Sequence, residues 1–139
     1  MRTRKVAASL LLGWSASCSA AGFVNGSFES ASVDPGTGFL TLGVGDTSIT
    51  GWQVVLGDID YIGTYWQAAN GTRSIDFVGN GGSGGIQQTF DTTPGLTYQV
   101  SFDLAGNPEG PATVKPLTVT VAGVTQTYTF DTTGKSKTC

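Results

Sequence analysis

Eight consecutive residues, Thr97-Tyr98-Gln99-Val100-Ser101-Phe102-Asp103-Leu104, alternate polar and apolar side chains without a break. A strict period of two means an extended strand with one buried and one wet face. Leu117-Thr118-Val119-Thr120-Val121 repeats the pattern, and a short turn at Ala122-Gly123 joins it to Gln126-Thr127-Tyr128-Thr129-Phe130. Ile86 to Phe90 supplies another candidate, as do Phe23 to Phe28, Phe39 to Leu42, Trp52 to Leu56, Ile59 to Ile62 and Ser74 to Val78. Nothing after Ala21 has helical periodicity, and turn residues recur at short intervals. About nine short strands punctuated this way predict an all-β jelly-roll β-sandwich of two antiparallel sheets.

The N-terminus is different in kind. Met1-Arg2-Thr3-Arg4-Lys5 is basic, Val6 to Trp14 is mostly apolar, and small residues run from Ser15 to Ala21. This is the pattern of a secretory signal peptide over residues 1–20, with cleavage after Ala20 or Ala21. The apolar run falls short of the about 20 residues that cross a bilayer. Cys18 lacks the aliphatic residue three places earlier that a lipoprotein signal uses, since Ser15 stands there. Removal of the leader takes the net charge from −3 to −6, with four basic and ten acidic residues left. It also removes Cys18, so Cys139 has no partner for a disulfide within the chain. The expectation is a secreted, acidic domain over residues 21–139, displayed outside the cell.

Composition then removes function classes. The chain has no His, which excludes Ser-His-Asp and Cys-His catalysis and His-ligated metals. Net negative charge argues against nucleic acid as a partner. Gly79-Asn80-Gly81-Gly82-Ser83-Gly84 satisfies GxGxxG, but a strand-like segment follows where a dinucleotide site needs a helix N-terminus. The run is read as a hairpin loop. Asp58, Asp60 and Asp76 lie close in sequence, and turn and edge solvation accounts for them better than paired acid/base catalysis. No enzyme is expected; a jelly-roll hydrolase is the weaker reading.

Tyr61, Tyr65 and Trp66, with Asp60, Asn70 and Arg73 nearby, form a different kind of cluster. Aromatic rings stack on the apolar C–H faces of sugars while polar groups bond the hydroxyls. The competing reading places Tyr61 and Trp66 in the sandwich core. Trp52, opening a strand, is expected in the core. Asn25-Gly26-Ser27 and Asn70-Gly71-Thr72 fit the N-glycosylation pattern, and also suit turns.

Several segments together resemble the choice-of-anchor C family of secreted bacterial proteins, itself similar to the plant cell-wall proteins called domain of unknown function 642. They are Asn25-Gly26-Ser27-Phe28-Glu29, Gly51-Trp52, Asp60-Tyr61-Ile62-Gly63, Tyr65-Trp66-Gln67-Ala68-Ala69, Gly71 to Asp76, Ile86 to Phe90, Thr93-Pro94-Gly95, Tyr98 to Phe102, and Asp103 to Pro108. Their order and spacing hold over nearly the whole of residues 21–139.

The resemblance implies a galactose-binding-like jelly roll at the cell surface that associates with extracellular or cell-wall polysaccharide and has no enzymatic activity. Contact is expected at Asp60, Tyr61, Tyr65, Trp66 and Arg73. Related jelly rolls carry a structural calcium near an N-terminal Asn-Gly-x-Phe-Glu; Glu29 is the matching ligand here, and a Glu29 that caps a turn without metal is the alternative. Members continue past Asp131-Thr132-Thr133-Gly134-Lys135-Ser136 with further strands and an anchor, so the resemblance also implies a sandwich incomplete at the C-terminus. Two other readings stay open: a structural surface or matrix protein making protein contacts with no sugar site, and a non-functional truncated fragment.

Overall fold

The computed structural model describes residues 4–11, 22–80, 82–108 and 113–135. The expected cleavage site, Cys18 and Cys139 lie outside them. Nine strands occur among the described residues, and no helix: β1 (Arg4–Leu11), β2 (Phe39–Gly43), β3 (Gln53–Leu56), β4 (Asp58–Ile62), β5 (Ser74–Asp76), β6 (Gly85–Gln87), β7 (Thr97–Leu104), β8 (Val114–Val121) and β9 (Val124–Asp131). Every strand pair is antiparallel. The chain is therefore all-β, built as a β-sandwich chain is built.

Two compact units divide it. The unit over Cys18–Asp91 holds a three-stranded sheet in the order β2-β4-β5 and a two-stranded sheet of β3 and β6. Its core is Leu42, Ile49, Val54, Ile59 and Tyr61, with Phe28, Trp52, Ile75, Phe77 and Ile86 packed against it. Trp52 sits where the sequence puts it. The pleat of β4 explains the arrangement: Ile59 and Tyr61 point to the core, while Asp58 and Asp60 alternate to the other side.

The expected strand over Phe23 to Phe28 does not form. Asn25 and Phe28 have φ of 51° and 63°, left-handed values that no β-strand accommodates. Val24 instead obtains its backbone bonds from one side chain. Its N–H donates to Gln88 Oε1 at 2.8 Å, and its carbonyl accepts from Gln88 Nε2 at 3.0 Å. An amide side chain thus substitutes for a neighbouring strand.

The glycine run after β5 makes a tight return, with a bridge between Val78 and Ser83 leading to strand β6. A Cβ at Gly84 would overlap the carbonyl of Asp58, so the two backbones meet at a distance only glycine permits. The run is a packing device, and no helix follows it.

The second unit gathers β1, β7, β8 and β9. The alternation of β7 is realised residue by residue: Tyr98, Val100 and Phe102 are half-buried and Leu104 buried, while Thr97, Gln99, Ser101 and Asp103 are exposed. β7 pairs along its whole length with β1, from Arg4 opposite Leu104 to Leu11 opposite Thr97. β8 begins three residues earlier than the alternation suggests and includes Pro116, which an edge strand tolerates. Phe102 meets Tyr128 of β9 edge to face at 5.3 Å. Thr132, also buried, donates its hydroxyl to the Thr113 carbonyl at 2.9 Å.

Val121 pairs with Val124 across a two-residue loop, in which Ala122 and Gly123 have φ of 47° and 81°. Positive φ at both positions is the type I′ hairpin turn, favoured by Asn-Gly. Ala122 bears the steric strain of its Cβ there. Ala122→Asn should raise the unfolding free energy by about 1 kcal/mol, read from urea denaturation at constant m-value.

Candidate functional site

Two separate groups emerge from the residues singled out in the sequence, and the pleat of β4 divides them. On the outer face of the β2-β4-β5 sheet, Thr41, Asp60 and Asp76 occupy one row across three strands. Thr41 Oγ1 donates to Asp60 Oδ1 at 2.6 Å, and Asn80 Nδ2 reaches Thr41 Oγ1 at 3.4 Å. Val78 N–H bonds Asp76 Oδ1 at 2.9 Å. Two residues along β2 from Thr41, on the same side of the strand, stands Phe39.

Phe39 carries the aromatic part of this face. Its ring meets Tyr65 edge to face at 5.8 Å, and Tyr65 in turn lies 5.5 Å from Trp66. Phe39 is 46% exposed and Tyr65 47%, with Trp66 half-buried beside them. Aromatic groups and hydrogen-bonding polar groups are therefore adjacent on one surface. The sequence reading names Tyr65, Trp66 and Asp60, and does not name Phe39. The signal was available: Phe39 opens a short strand whose apolar partner Leu42 has the opposite parity, so one of the two had to face outward.

Tyr61 and Arg73 belong elsewhere. Tyr61 is 1% exposed and donates its hydroxyl to the Phe28 carbonyl at 2.7 Å. Burial raises its pKa above 10.0, against the opposing effect of the Arg73 guanidinium beside it. A ring enclosed in the core offers no stacking face, so Tyr61 is a core residue and is corrected as a contact residue. Arg73 Nη2 donates to Asp34 Oδ1 at 2.9 Å, with its side chain 18% exposed. It is committed to this ion pair and to Tyr61, on the side of the sheet away from Asp60. Consecutive strand residues such as Asp60 and Tyr61 cannot both face one ligand.

Glu29 is a turn clamp. Its Oε1 accepts the N–H of Thr72 and of Arg73, each at 2.8 Å, and its Oε2 accepts the Thr72 hydroxyl at 2.9 Å. At the centre of that turn Gly71 has φ of 67°, and a Cβ there would run into the Glu29 carboxylate. Calcium needs six to eight oxygen ligands. Here both carboxylate oxygens already accept protein donors, and no group of three or more His, Cys, Asp or Glu among the described residues is placed to hold a metal. The residues present do not fit a calcium at Glu29.

Asn25, the first residue of the same segment, is equally committed. Its Nδ2 donates to the carbonyls of Ser30 at 2.8 Å and Thr50 at 2.9 Å, while its Oδ1 accepts from Ser30 N–H at 3.0 Å. Its own carbonyl accepts the Trp52 indole N–H at 3.0 Å. A glycan on Nδ2 would displace these bonds, so in the folded chain this position is structural.

An all-β chain with this arrangement of motifs falls in a family defined by sequence. The chain belongs to the family described as protein of unknown function (DUF642), whose model matches residues 21–139. It is also similar to halomucin of Haloquadratum walsbyi, 34% identical over 85 residues. That match covers 60% of this chain and 1% of halomucin, so the chain spans a very small part of that relative. No solved structure matches the chain.

Burial opposes ionisation of Glu29, but the bonds from Thr72 and Arg73 outweigh it and hold the carboxyl below its ordinary 4.5. A lowered folded-state pKa stabilises the fold above the unfolded value, and that contribution is lost as pH falls through the folded one. Glu29→Gln should therefore melt below wild type by a constant margin at neutral pH. The margin should close below pH 4.5, as the wild-type carboxyl protonates, in parallel thermal scans.

Proposed function

We propose that this chain is an exported, non-catalytic module that binds extracellular or cell-wall polysaccharide through the outer face of the β2-β4-β5 sheet. The observation that carries the reading is the exposed Tyr65 ring, in contact with Phe39 and Trp66 and adjacent to the Thr41-Asp60-Asp76 row. Sugar rings stack on such surfaces, and carboxylate, hydroxyl and amide groups bond their hydroxyls. Tyr65 and Trp66 keep their proposed stacking role, Phe39 joins them, and Asp60 remains the polar contact. Membership of the choice-of-anchor C branch, and with it display at the cell surface, is part of this proposal and is supported by the motif order over residues 21–139.

Charge narrows the substrate. Residues 22–91 contain seven acidic side chains and one cation, Arg73, which is paired with Asp34. A field of that sign repels polyuronates and sulfated chains, which leaves neutral polysaccharide as the favoured partner.

Retention on neutral polysaccharide gels tests the reading. Tyr65→Ala and Trp66→Ala should each weaken retention about tenfold, equivalent to ~1.4 kcal/mol of lost stacking. Arg73→Lys should leave retention unchanged at equal folded fraction. A protein-contact role without a sugar site predicts no retention by wild type. Release of reducing ends from the gel would instead mark a hydrolase.

A further inference from the structure

In an Asn-Gly step the glycine nitrogen attacks the asparagine side chain readily, because glycine puts no Cβ in the way. The chain contains three such steps, at Asn25, Asn70 and Asn80. They share the glycine that favours the reaction, and the fold treats them differently.

Asn25 is locked. Both ends of its side-chain amide are held, Nδ2 by the Ser30 and Thr50 carbonyls and Oδ1 by the Ser30 N–H. Asn80 donates from Nδ2 to Thr41 Oγ1 at 3.4 Å, a longer and weaker hold. Asn70 is exposed, and among the described residues neither its amide nor the Gly71 N–H has a hydrogen-bond partner. Of the three side-chain amides, this one alone is uncommitted.

We propose that Asn70 is a site of spontaneous deamidation, and that the reaction unfastens the turn held by Glu29. The Gly71 nitrogen attacks Asn70 Cγ, a C–N bond forms, and the Cγ–Nδ2 bond breaks. Ammonia leaves with the Gly71 proton, and water opens the resulting succinimide to Asp or isoAsp. Water is the only co-reactant.

The consequence follows from what lies beside Gly71. A Cβ there would run into the Glu29 carboxylate, so the charge gained at residue 70 arises one residue from that contact. Glu29 accepts the Thr72 and Arg73 N–H groups, and a like charge opposes its ionised form. The new carboxylate also stands two residues before Thr72, the spacing at which Asp bonds a backbone N–H for itself. IsoAsp moves a methylene from side chain to backbone, directly before the left-handed φ of 67° at Gly71. Each change loosens the turn that Glu29 ties to the loop over residues 25–34.

Peptide mapping of the whole chain, aged in mildly alkaline buffer, reads the order of conversion from the mass gain of amide to carboxylate. Asn70 should convert about tenfold faster than Asn25, with Asn80 between them. In urea the three rates should draw together, since the hydrogen bonds that separate them are gone. Asn25 or Asn80 leading in the folded chain overturns the assignment, as does a tenfold spread that persists in urea. Asn70→Asp should melt below wild type at neutral pH, and by a smaller margin in a Glu29→Gln background. Asn70→Gln, a poor former of the cyclic imide, should keep its melting temperature on ageing while wild type loses some. The unfastening of the turn is overturned if Asn70→Asp melts like wild type, if Glu29→Gln leaves its deficit unchanged, or if Asn70→Gln ages like wild type.

Discussion

The pleat of β4 is the constraint on which the rest of the Cys18–Asp91 unit depends. Alone among the described strands, β4 has a neighbour on both sides. Ile59 and Tyr61 face one way and make the centre of the core, with exposures of 0% and 1%. Asp58 and Asp60 face the other way, so the strand that builds the core also presents polar groups on its outer face. Neither role can be altered without the other, since a shift of one residue would bury carboxylates and expose an aromatic ring.

The loop over residues 25–34 completes that core with polar chemistry. Tyr61 anchors it through the Phe28 carbonyl, Trp52 through the Asn25 carbonyl, and Glu29 and Asp34 tie it to Thr72 and Arg73. Left-handed backbone at Asn25 and Phe28 would be unfavourable on its own. It persists because ring packing of Phe28 on Trp52, at 5.3 Å, and the converging hydrogen bonds leave the segment no alternative. The Asn-Gly-Ser-Phe-Glu motif is thereby accounted for as a structural knot whose carboxylate holds a turn.

The remaining strands, β7 to β9 with β1, show how strongly alternation specifies pairing. The burial alternates through every residue of β7 and β8, and the β1-β7 and β8-β9 ladders run for eight residues without a register shift. Strands this regular form extended edges, and how each edge is covered becomes part of the molecule's behaviour.

Much of this was legible in the chain itself. The alternation of Thr97–Leu104, the turn at Ala122-Gly123, the loop character of the glycine run and the core position of Trp52 follow from local pattern and turn chemistry. The sequence could not decide Phe23 to Phe28, where apolar residues at strand spacing became a left-handed turn held by Gln88, Ser30 and Thr50. Nor could it assign Tyr61, Arg73 and Glu29, whose residue types suit a binding site and a core equally well. What separated them was which side of β4 each one lies on and which groups 40 or so residues away come within hydrogen-bond distance. Local pattern determines how a segment extends or turns; tertiary structure alone decides which donors and acceptors meet, because those partners are brought together by the core and not by the chain.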